Sequence, residues 1–165
     1  MTTTDYGRLR PDEDRCAVRF ERLYDATADE LWSALTDPDQ LPGWLAHASR
    51  FELEIGGEVH LDFGDGDEVR GELRALEPGR VLEYTWTFPG ERESVVRFEI
   101  EPREQGVHLV LDHRQLPRDM AVGYGAGWHA HLDMLGAALV GSTLDFMPRY
   151  EELRPAYEER AGALG

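Results

Sequence analysis

The sequence lacks the features that mark secreted and membrane-spanning proteins. Its single cysteine, Cys16, has no partner for a disulfide within the chain, and no stretch has the order of charged, apolar and small residues found in a signal peptide. The longest strongly apolar runs, such as residues 137–140, are far shorter than the ~20 residues needed to cross a bilayer. We therefore expect a cytoplasmic protein with no membrane partner.

Cationic residues are also scarce. The chain has 17 Lys and Arg residues against 33 Asp and Glu residues, which gives a formal net charge of −16. Nucleic acid phosphates are bound by clustered cations, whereas the arginines here are scattered among acidic neighbours. The same negative charge repels anionic lipid surfaces. This composition argues against a nucleic acid partner and predicts an acidic, solubilising surface.

The chain length of 165 residues corresponds to one domain that can bury a core. Residues 1–13 are polar and without periodicity, which predicts a disordered N-terminal segment. We place the domain itself at residues 14–141. Residues 142–165 form an acidic extension whose apolar side chains recur at helical spacing, although Pro155 should break or kink that helix. We expect the extension to pack back on the domain, or else to contact a partner or a second copy.

The first part of the domain combines a strand with helices. From Cys16 onward apolar residues alternate with polar ones, which predicts a half-buried strand. Residues 27–30 have the sequence Thr-Ala-Asp-Glu, a capping box that predicts the start of a helix. The Asp-Pro pair at residues 37–38 predicts the end of that helix and the start of a short second one, which reaches Leu45.

The middle of the domain has the pattern of a sheet. Between residues 50 and 114 apolar residues alternate with mostly charged ones, and five turn signals divide this region into six strands. One apolar and one polar face are typical of antiparallel sheets. Apolar residues then recur at spacings of four, three and four, as in a long amphipathic helix. These residues are Trp128, Leu132, Leu135 and Leu139.

These elements predict an α+β fold with a seven-stranded antiparallel sheet, a short two-helix hairpin after the first strand, and a long C-terminal helix. Seven strands about 4.8 Å apart form a sheet about 30 Å wide, whereas a helix with its side chains is about 10 to 12 Å across. One helix cannot cover a flat sheet of that width. We therefore expect the sheet to curl around the helix and to leave an apolar cavity between them.

Five segments of the chain carry motifs of a known superfamily. They are RFERLYDATADELWSALTDPDQLPGWL, EIGGEVHLDFGDG, GELRALEPGRVLEYTW, GVHLVLDH and YGAGWHAHLDMLGAAL, and together they cover about residues 15–141. Their order resembles the START-like or SRPBCC superfamily of helix-grip domains, and within it the bacterial homologues of the heat-shock-protein ATPase activator. The resemblance implies the same order of strands and helices. It implies no single activity, because the superfamily includes lipid and hormone carriers, aromatic polyketide cyclases and co-chaperones.

Three polar residues are candidates for groups inside the cavity. His113 shares its strand parity with the apolar residues of the last strand, and His131 flanks the buried stripe of the long helix together with Tyr124. These side chains could anchor a ligand by hydrogen bonds, or transfer protons as a cyclase-like site needs. The alternative is that the histidines are satisfied within the core and the tyrosine only packs there.

Five aromatic residues are candidates for the walls of the cavity. They are Trp44 near the helical hairpin, Phe63, Trp86 and Phe98 on the inner face of the sheet, and Trp128 on the long helix. Large aromatic residues are also common in ordinary cores. Both interpretations are compatible with the sequence.

The remaining motifs favour ordinary structure. We expect His129 and Asp133 to form a surface pair on the outer side of the long helix. His129 and His131 project about 200° apart around the helix axis, so they cannot chelate one metal ion. The glycines within residues 123–127 are predicted to form a hinge before the helix. We expect no metal site, no cofactor and no catalytic nucleophile.

The sequence therefore predicts non-enzymatic binding of a small hydrophobic or aromatic molecule in an internal cavity, with His113, Tyr124 or His131 as polar anchors. A cyclase or hydrolase that uses the same cavity is the enzymatic alternative. A co-chaperone-like protein-interaction domain is the third candidate, and a homodimer or a protein partner stays open.

Overall fold

The computed structural model describes residues 5–164, and it contains eight strands there, most of them with the alternation of apolar and charged side chains seen in the sequence. The strands are β1 (Arg8–Asp12), β2 (Arg15–Tyr24), β3 (His47–Phe51), β4 (Glu58–Asp62), β5 (Glu68–Glu77), β6 (Val81–Trp86), β7 (Ser94–Arg103) and β8 (Gly106–Leu116). All neighbouring strands pair antiparallel, in the order β1-β2-β8-β7-β6-β5-β4-β3. The sheet has two free edges, β1 and β3, and is not closed.

Three α-helices complete this part of the chain. They are α1 (Ala28–Thr36), α2 (Ala121–Leu139) and α3 (Phe146–Gly162), with 3₁₀ turns at Leu41–Gly43 and Arg118–Met120. In residues 5–164 no helix combines the length and the apolar composition that membrane crossing requires.

Helix α2 is the central helix and contacts distant parts of the sheet. The Tyr24 hydroxyl, at the end of β2, donates a hydrogen bond to the Leu132 carbonyl at 2.8 Å. The Trp128 indole lies 5.4 Å from the indole of Trp86 on β6, measured between ring centroids. Because β8 and β7 lie between β2 and β6, these two contacts place α2 across the middle of the sheet.

The predicted number of strands was one too low, because β1 lies in the N-terminal segment that we expected to be disordered. Residues 1–4 of that segment lie outside the described residues. In β1, Leu9 pairs with Val18 and Pro11 pairs with Cys16. A proline is tolerated on an edge strand, where one side of the backbone faces solvent. Only Leu9 packs against the core, so the segment lacks the apolar alternation that identifies a half-buried strand.

The predicted second helix of the hairpin is present only as a three-residue 3₁₀ turn, Leu41–Gly43. Pro42 and Gly43 have the lowest helix propensities, so the chain does not continue here as an α-helix. The turn is held by Trp44, whose Nε1 donates to the Ala34 carbonyl at 2.8 Å. The capping box of α1, by contrast, is confirmed, since Thr27 and Glu30 bond each other's backbone amides.

The helical extension folds back as α3 and packs against α2. Pro155 does not end this helix, because Pro155 and Glu151 are both exposed and water can satisfy the carbonyl that the proline leaves without a partner. Leu153 and Tyr157 are buried. A Cβ atom on Gly125 would lie 2.5 Å from the Tyr157 ring, so this glycine permits the contact between the two helices. The glycines that were predicted to form a hinge before the helix lie within α2 instead.

Candidate functional site

An open pocket of about 350 Å³ lies between the end of β6, the turn after it, the first half of α2 and the start of α3. Five of the eight predicted ligand-binding residues line it. They are Phe63, Trp86, Tyr124, Trp128 and His131. Strand parity places Trp86 on the inner face of the sheet, and helical spacing places Tyr124, Trp128 and His131 on one side of α2.

The other three predicted residues lie behind the pocket wall. Phe98 is buried and contacts Trp128 edge to face, with 6.0 Å between ring centroids. Trp44 is buried, and its backbone carbonyl accepts a hydrogen bond from His131. His113 is fully buried, 5.3 Å from the indole of Trp86 between ring centroids. None of the three borders the pocket, so they support the wall from behind.

The hydrogen bonds of His113 fix its tautomer. Trp128 Nε1 donates to His113 Nδ1 at 2.9 Å, which places the imidazole proton on Nε2. Nε2 then donates to Ser94 Oγ at 2.7 Å, and Ser94 Oγ donates to the Trp86 carbonyl at 3.0 Å. Burial, with a smaller contribution from Arg114, lowers the pKa of His113 to about 3. This neutral histidine holds both pocket tryptophans in place.

A second chain of hydrogen bonds borders the pocket directly. Trp86 Nε1 donates to the Tyr124 hydroxyl at 3.2 Å, and that hydroxyl donates to Glu91 Oε1 at 2.7 Å. Burial and then the Glu91 carboxylate raise the pKa of Tyr124 far above its usual value. Glu91 lies in the turn after β6 and is half-buried. Among the described residues that line the pocket, it is the one acidic or basic group apart from His131.

His131 is the one histidine that borders the pocket. Its Nδ1 donates to the Trp44 carbonyl at 2.8 Å, so its Nε2 carries a lone pair. Burial lowers the pKa of His131 to about 4, and the bond to the Trp44 carbonyl opposes that shift. Its ring stacks on Phe146, with 4.5 Å between centroids. His131 is therefore neutral near pH 7 and offers a hydrogen-bond acceptor.

The sequence analysis did not identify the rest of the pocket wall. The apolar members are Leu45, Phe88, Met120, Phe146, Met147 and Tyr150; Glu91, Gly123 and Gly127 complete it. The helical spacing of Phe146 and Tyr150 was visible in the sequence, but only the return of α3 onto α2 brings them to the pocket. Glu91 follows a Pro-Gly turn signal, and no pattern in the sequence indicates that it lies at a pocket.

The predicted surface position of His129 was wrong. His129 is fully buried, and its Nδ1 lies 2.8 Å from the hydroxyl of Tyr157 on α3. That hydroxyl also accepts a hydrogen bond from the Gly7 amide at 2.7 Å. Burial is the main cause that lowers the pKa of His129 to about 4. The prediction failed because α3 and the N-terminal segment cover this face of α2.

The pocket is suited to binding an apolar body, with few polar groups to orient it. Among residues 5–164 no group of three or more His, Cys, Asp or Glu residues is arranged to hold a metal ion. Cys16 is buried beside Pro117, away from the pocket. The polar groups at the wall are the Tyr124 and Tyr150 hydroxyls, the Glu91 carboxylate and the His131 imidazole.

Comparison with protein families gives one match over most of the chain. Residues 25–140 match the family described as Activator of Hsp90 ATPase homolog 1-like protein. This span includes α1, the strands β3 to β8 and all of α2. No curated protein matches the sequence.

Several solved structures are similar to this chain. CalU16 from Micromonospora echinospora is 28% identical, with a TM-score of 0.77 over 94% of this chain and 95% of CalU16. The protein encoded by gene BPP1335 of Bordetella parapertussis is 30% identical, with a TM-score of 0.71 over 91% of this chain and 87% of that one. DynU16, from the dynemicin biosynthetic locus, is 28% identical with a TM-score of 0.64, and the match covers 87% of this chain but 47% of DynU16.

Proposed function

The chain belongs to the family of Activator of Hsp90 ATPase homolog 1-like proteins, and on that premise we propose that it binds a small hydrophobic or aromatic molecule in the pocket without catalysing a reaction. The observation that carries the proposal is the open pocket of about 350 Å³ with a mostly aromatic wall. Ligand pockets are typically about 300 to 1,000 Å³ and are lined mainly by apolar and aromatic side chains.

The aromatic wall is held rigid from behind, which favours binding. The indoles of Trp86 and Trp128 are fixed by their hydrogen bonds to Tyr124 and His113. When a ligand covers these two side chains, the protein loses little side-chain entropy, because their rings are already held in place. Each Å² of apolar wall that the ligand removes from water contributes about 25 cal/mol before the costs of association.

We assign roles to the predicted residues accordingly. Direct contact with the ligand is proposed for Phe63, Trp86, Tyr124, Trp128 and His131. An indirect role, through packing and hydrogen bonds to those side chains, is proposed for Trp44, Phe98 and His113. In this proposal the sheet curls around α2, consistent with the contacts of α2 with both β2 and β6. The dynemicin biosynthetic locus of DynU16 supports a small molecule as the ligand.

A pocket-filling variant tests the proposal. Gly127 lines the pocket, and a Cβ atom there would meet nothing within 4 Å. Gly127→Leu should therefore fill the pocket without disturbing the packing of α2. Isothermal titration calorimetry with neutral fused-ring alcohols, such as 1-naphthylmethanol and 9-anthracenemethanol, should show binding to the wild type and at least about 10-fold weaker binding to the variant.

Ala138→Leu is the matched control, because it places the same side chain at an exposed position of the same helix. It should bind the alcohols with the wild-type affinity. Thermal unfolding should show that both variants are folded. Absence of binding to the wild type, or equal weakening in the two variants, would contradict the proposal.

Two other functions predict different results. A cyclase or hydrolase would use Tyr124, whose bond to Glu91 places a polar pair at the pocket, and its turnover would depend on pH and disappear in Tyr124→Phe. A co-chaperone-like domain would bind its partner through the acidic surface, so binding would weaken with salt and would be unchanged in Gly127→Leu.

A further inference from the structure

The polar side chains at the pocket wall use their protons within the protein. Trp86 Nε1 donates to Tyr124, the Tyr124 hydroxyl donates to Glu91, and Trp128 Nε1 donates to His113. These three donors are therefore occupied before any ligand arrives. A ligand gains little from acceptor groups placed against them.

Hydrogen-bond acceptors, by contrast, remain available. The Glu91 carboxylate accepts one hydrogen bond through Oε1, whereas two carboxylate oxygens can accept about four. His131 uses Nδ1 to donate to the Trp44 carbonyl, which leaves the lone pair of Nε2. The Tyr150 hydroxyl can donate or accept. The side chains of the wall thus offer mostly acceptors.

The charge at the pocket likewise favours ligands that donate hydrogen bonds, and cations in particular. No arginine lines it, and the chain contains no lysine. Arg92, next to Glu91 in the sequence, is exposed and lies 3.5 Å from the Asp14 carboxylate. The chain as a whole carries a formal charge of −16. An anionic ligand would meet Glu91 without a compensating cation, whereas a cationic ligand would neutralise it.

The aromatic rings add to this preference, because the face of an aromatic ring attracts a cation. We infer that the pocket selects molecules that carry a protonated amine beside a flat apolar body, and that Glu91 binds the amine. The inference rests on the proposed function and defines its ligand class. The first turn of α3 opposes it, because Phe146 and Met147 line the pocket there and the positive end of a helix attracts anions. That end amounts to about half a charge, against the full charge of Glu91.

Three probes with the same ring system separate the possibilities. They are 1-naphthylmethylamine, 1-naphthylmethanol and 1-naphthoate, each titrated calorimetrically into the full chain at pH 7. We expect the amine to bind about 10-fold or more tightly than the alcohol, and the carboxylate to bind most weakly, since a hydrogen bond to a charged group is about twice as strong as a neutral one.

The variant Glu91→Gln keeps an acceptor for Tyr124 and removes the charge. It should reduce the ratio of amine affinity to alcohol affinity about 10-fold. Glu93→Gln is the matched control, because it removes the same charge from an exposed position of the same loop that does not line the pocket. It should leave all three affinities within about 2-fold of the wild type.

The outcomes distinguish this inference from the function on which it rests. Alcohol binding without a preference for the amine overturns the selectivity and keeps the pocket as a ligand site. Tightest binding of the carboxylate assigns the preference to the start of α3 and also overturns the role of Glu91. Equal effects of Glu91→Gln and Glu93→Gln would mean that the preference for the amine comes from the overall electrostatic field of the protein. That result also overturns the role of Glu91. If none of the probes binds, both proposals are wrong.

Discussion

Two regions on opposite sides of α2 are built from similar parts and end in opposite states. On one side Tyr157 of α3 fills the space beside Gly125 and bonds His129, so this region is closed. On the other side the space beside Gly127 is empty, and the pocket is open. The helices and residue types are the same. The difference lies in whether an aromatic side chain of α3 occupies the space that a glycine of α2 leaves.

The closed region and the pocket also differ in how fully their polar groups are hydrogen-bonded. In the closed region the Tyr157 hydroxyl bonds both the Gly7 amide and His129, so its polar groups satisfy one another. At the pocket Glu91 keeps an oxygen without a hydrogen bond from another described residue, and His131 keeps a lone pair. The polar groups of the closed region therefore satisfy one another, whereas the pocket retains acceptors that no described residue uses.

The largest expected difference between the two regions comes from adding the same methyl group to both glycines. In Gly125→Ala the new Cβ would lie 2.5 Å from the Tyr157 ring, and overpacking of this kind costs about 1 to 3 kcal/mol. In Gly127→Ala the Cβ meets open space, and the higher helix propensity of alanine should stabilise the protein by up to about 1 kcal/mol. Urea unfolding of the two variants measures the difference, and equal changes would contradict the contrast between the two regions.

A smaller difference between the two regions is expected from pH, because both regions should respond to it. His129 in the closed region and His131 at the pocket both have pKa values lowered to about 4 by burial. As the pH falls below about 6.5, the unfolded chain takes up a proton on each histidine and the folded protein does not. The free energy of unfolding should therefore decrease between pH 6.5 and pH 4, by about 1.4 kcal/mol per pH unit for each histidine.

Single variants assign this pH dependence. His129→Gln and His131→Gln should each reduce the slope of unfolding free energy against pH by that amount, measured by urea unfolding at several pH values. A slope that is unchanged in His131→Gln would mean that the pKa of His131 is not lowered in the folded protein, and would contradict the effect of burial on this imidazole.

Much of the fold could be predicted from local patterns. The capping box of Thr27 and Glu30, the alternation in the central strands and the stripe of α2 each depend on neighbouring residues, so the sequence shows them directly. The strand β1 has one apolar contact residue, Leu9, and is held by pairing with β2. Pairing between distant segments leaves no periodic signal in a short polar strand.

The residues of the candidate site also divide into those that local patterns predict and those that they do not. Trp86, Trp128 and His131 could be placed at a cavity because their strand or helix face decides where they point. Glu91 and Phe146 could not, because they reach the pocket through a turn and through the return of α3. The error over His129 has the same origin, since the cover over its helix face comes from Tyr157, 28 positions later in the chain, and from Tyr6 in the N-terminal segment.

The binding of a ligand between the pocket tryptophans is tested most directly by the indole N–H signals in a ¹H–¹⁵N NMR spectrum during titration with 1-naphthylmethanol. The chain has four tryptophans. We predict large, saturable shifts for Trp86 and Trp128, which line the pocket, and no comparable shift for Trp32, which does not. Unchanged signals from Trp86 and Trp128 at saturating concentrations of the alcohol, or an equal shift of Trp32, would contradict it.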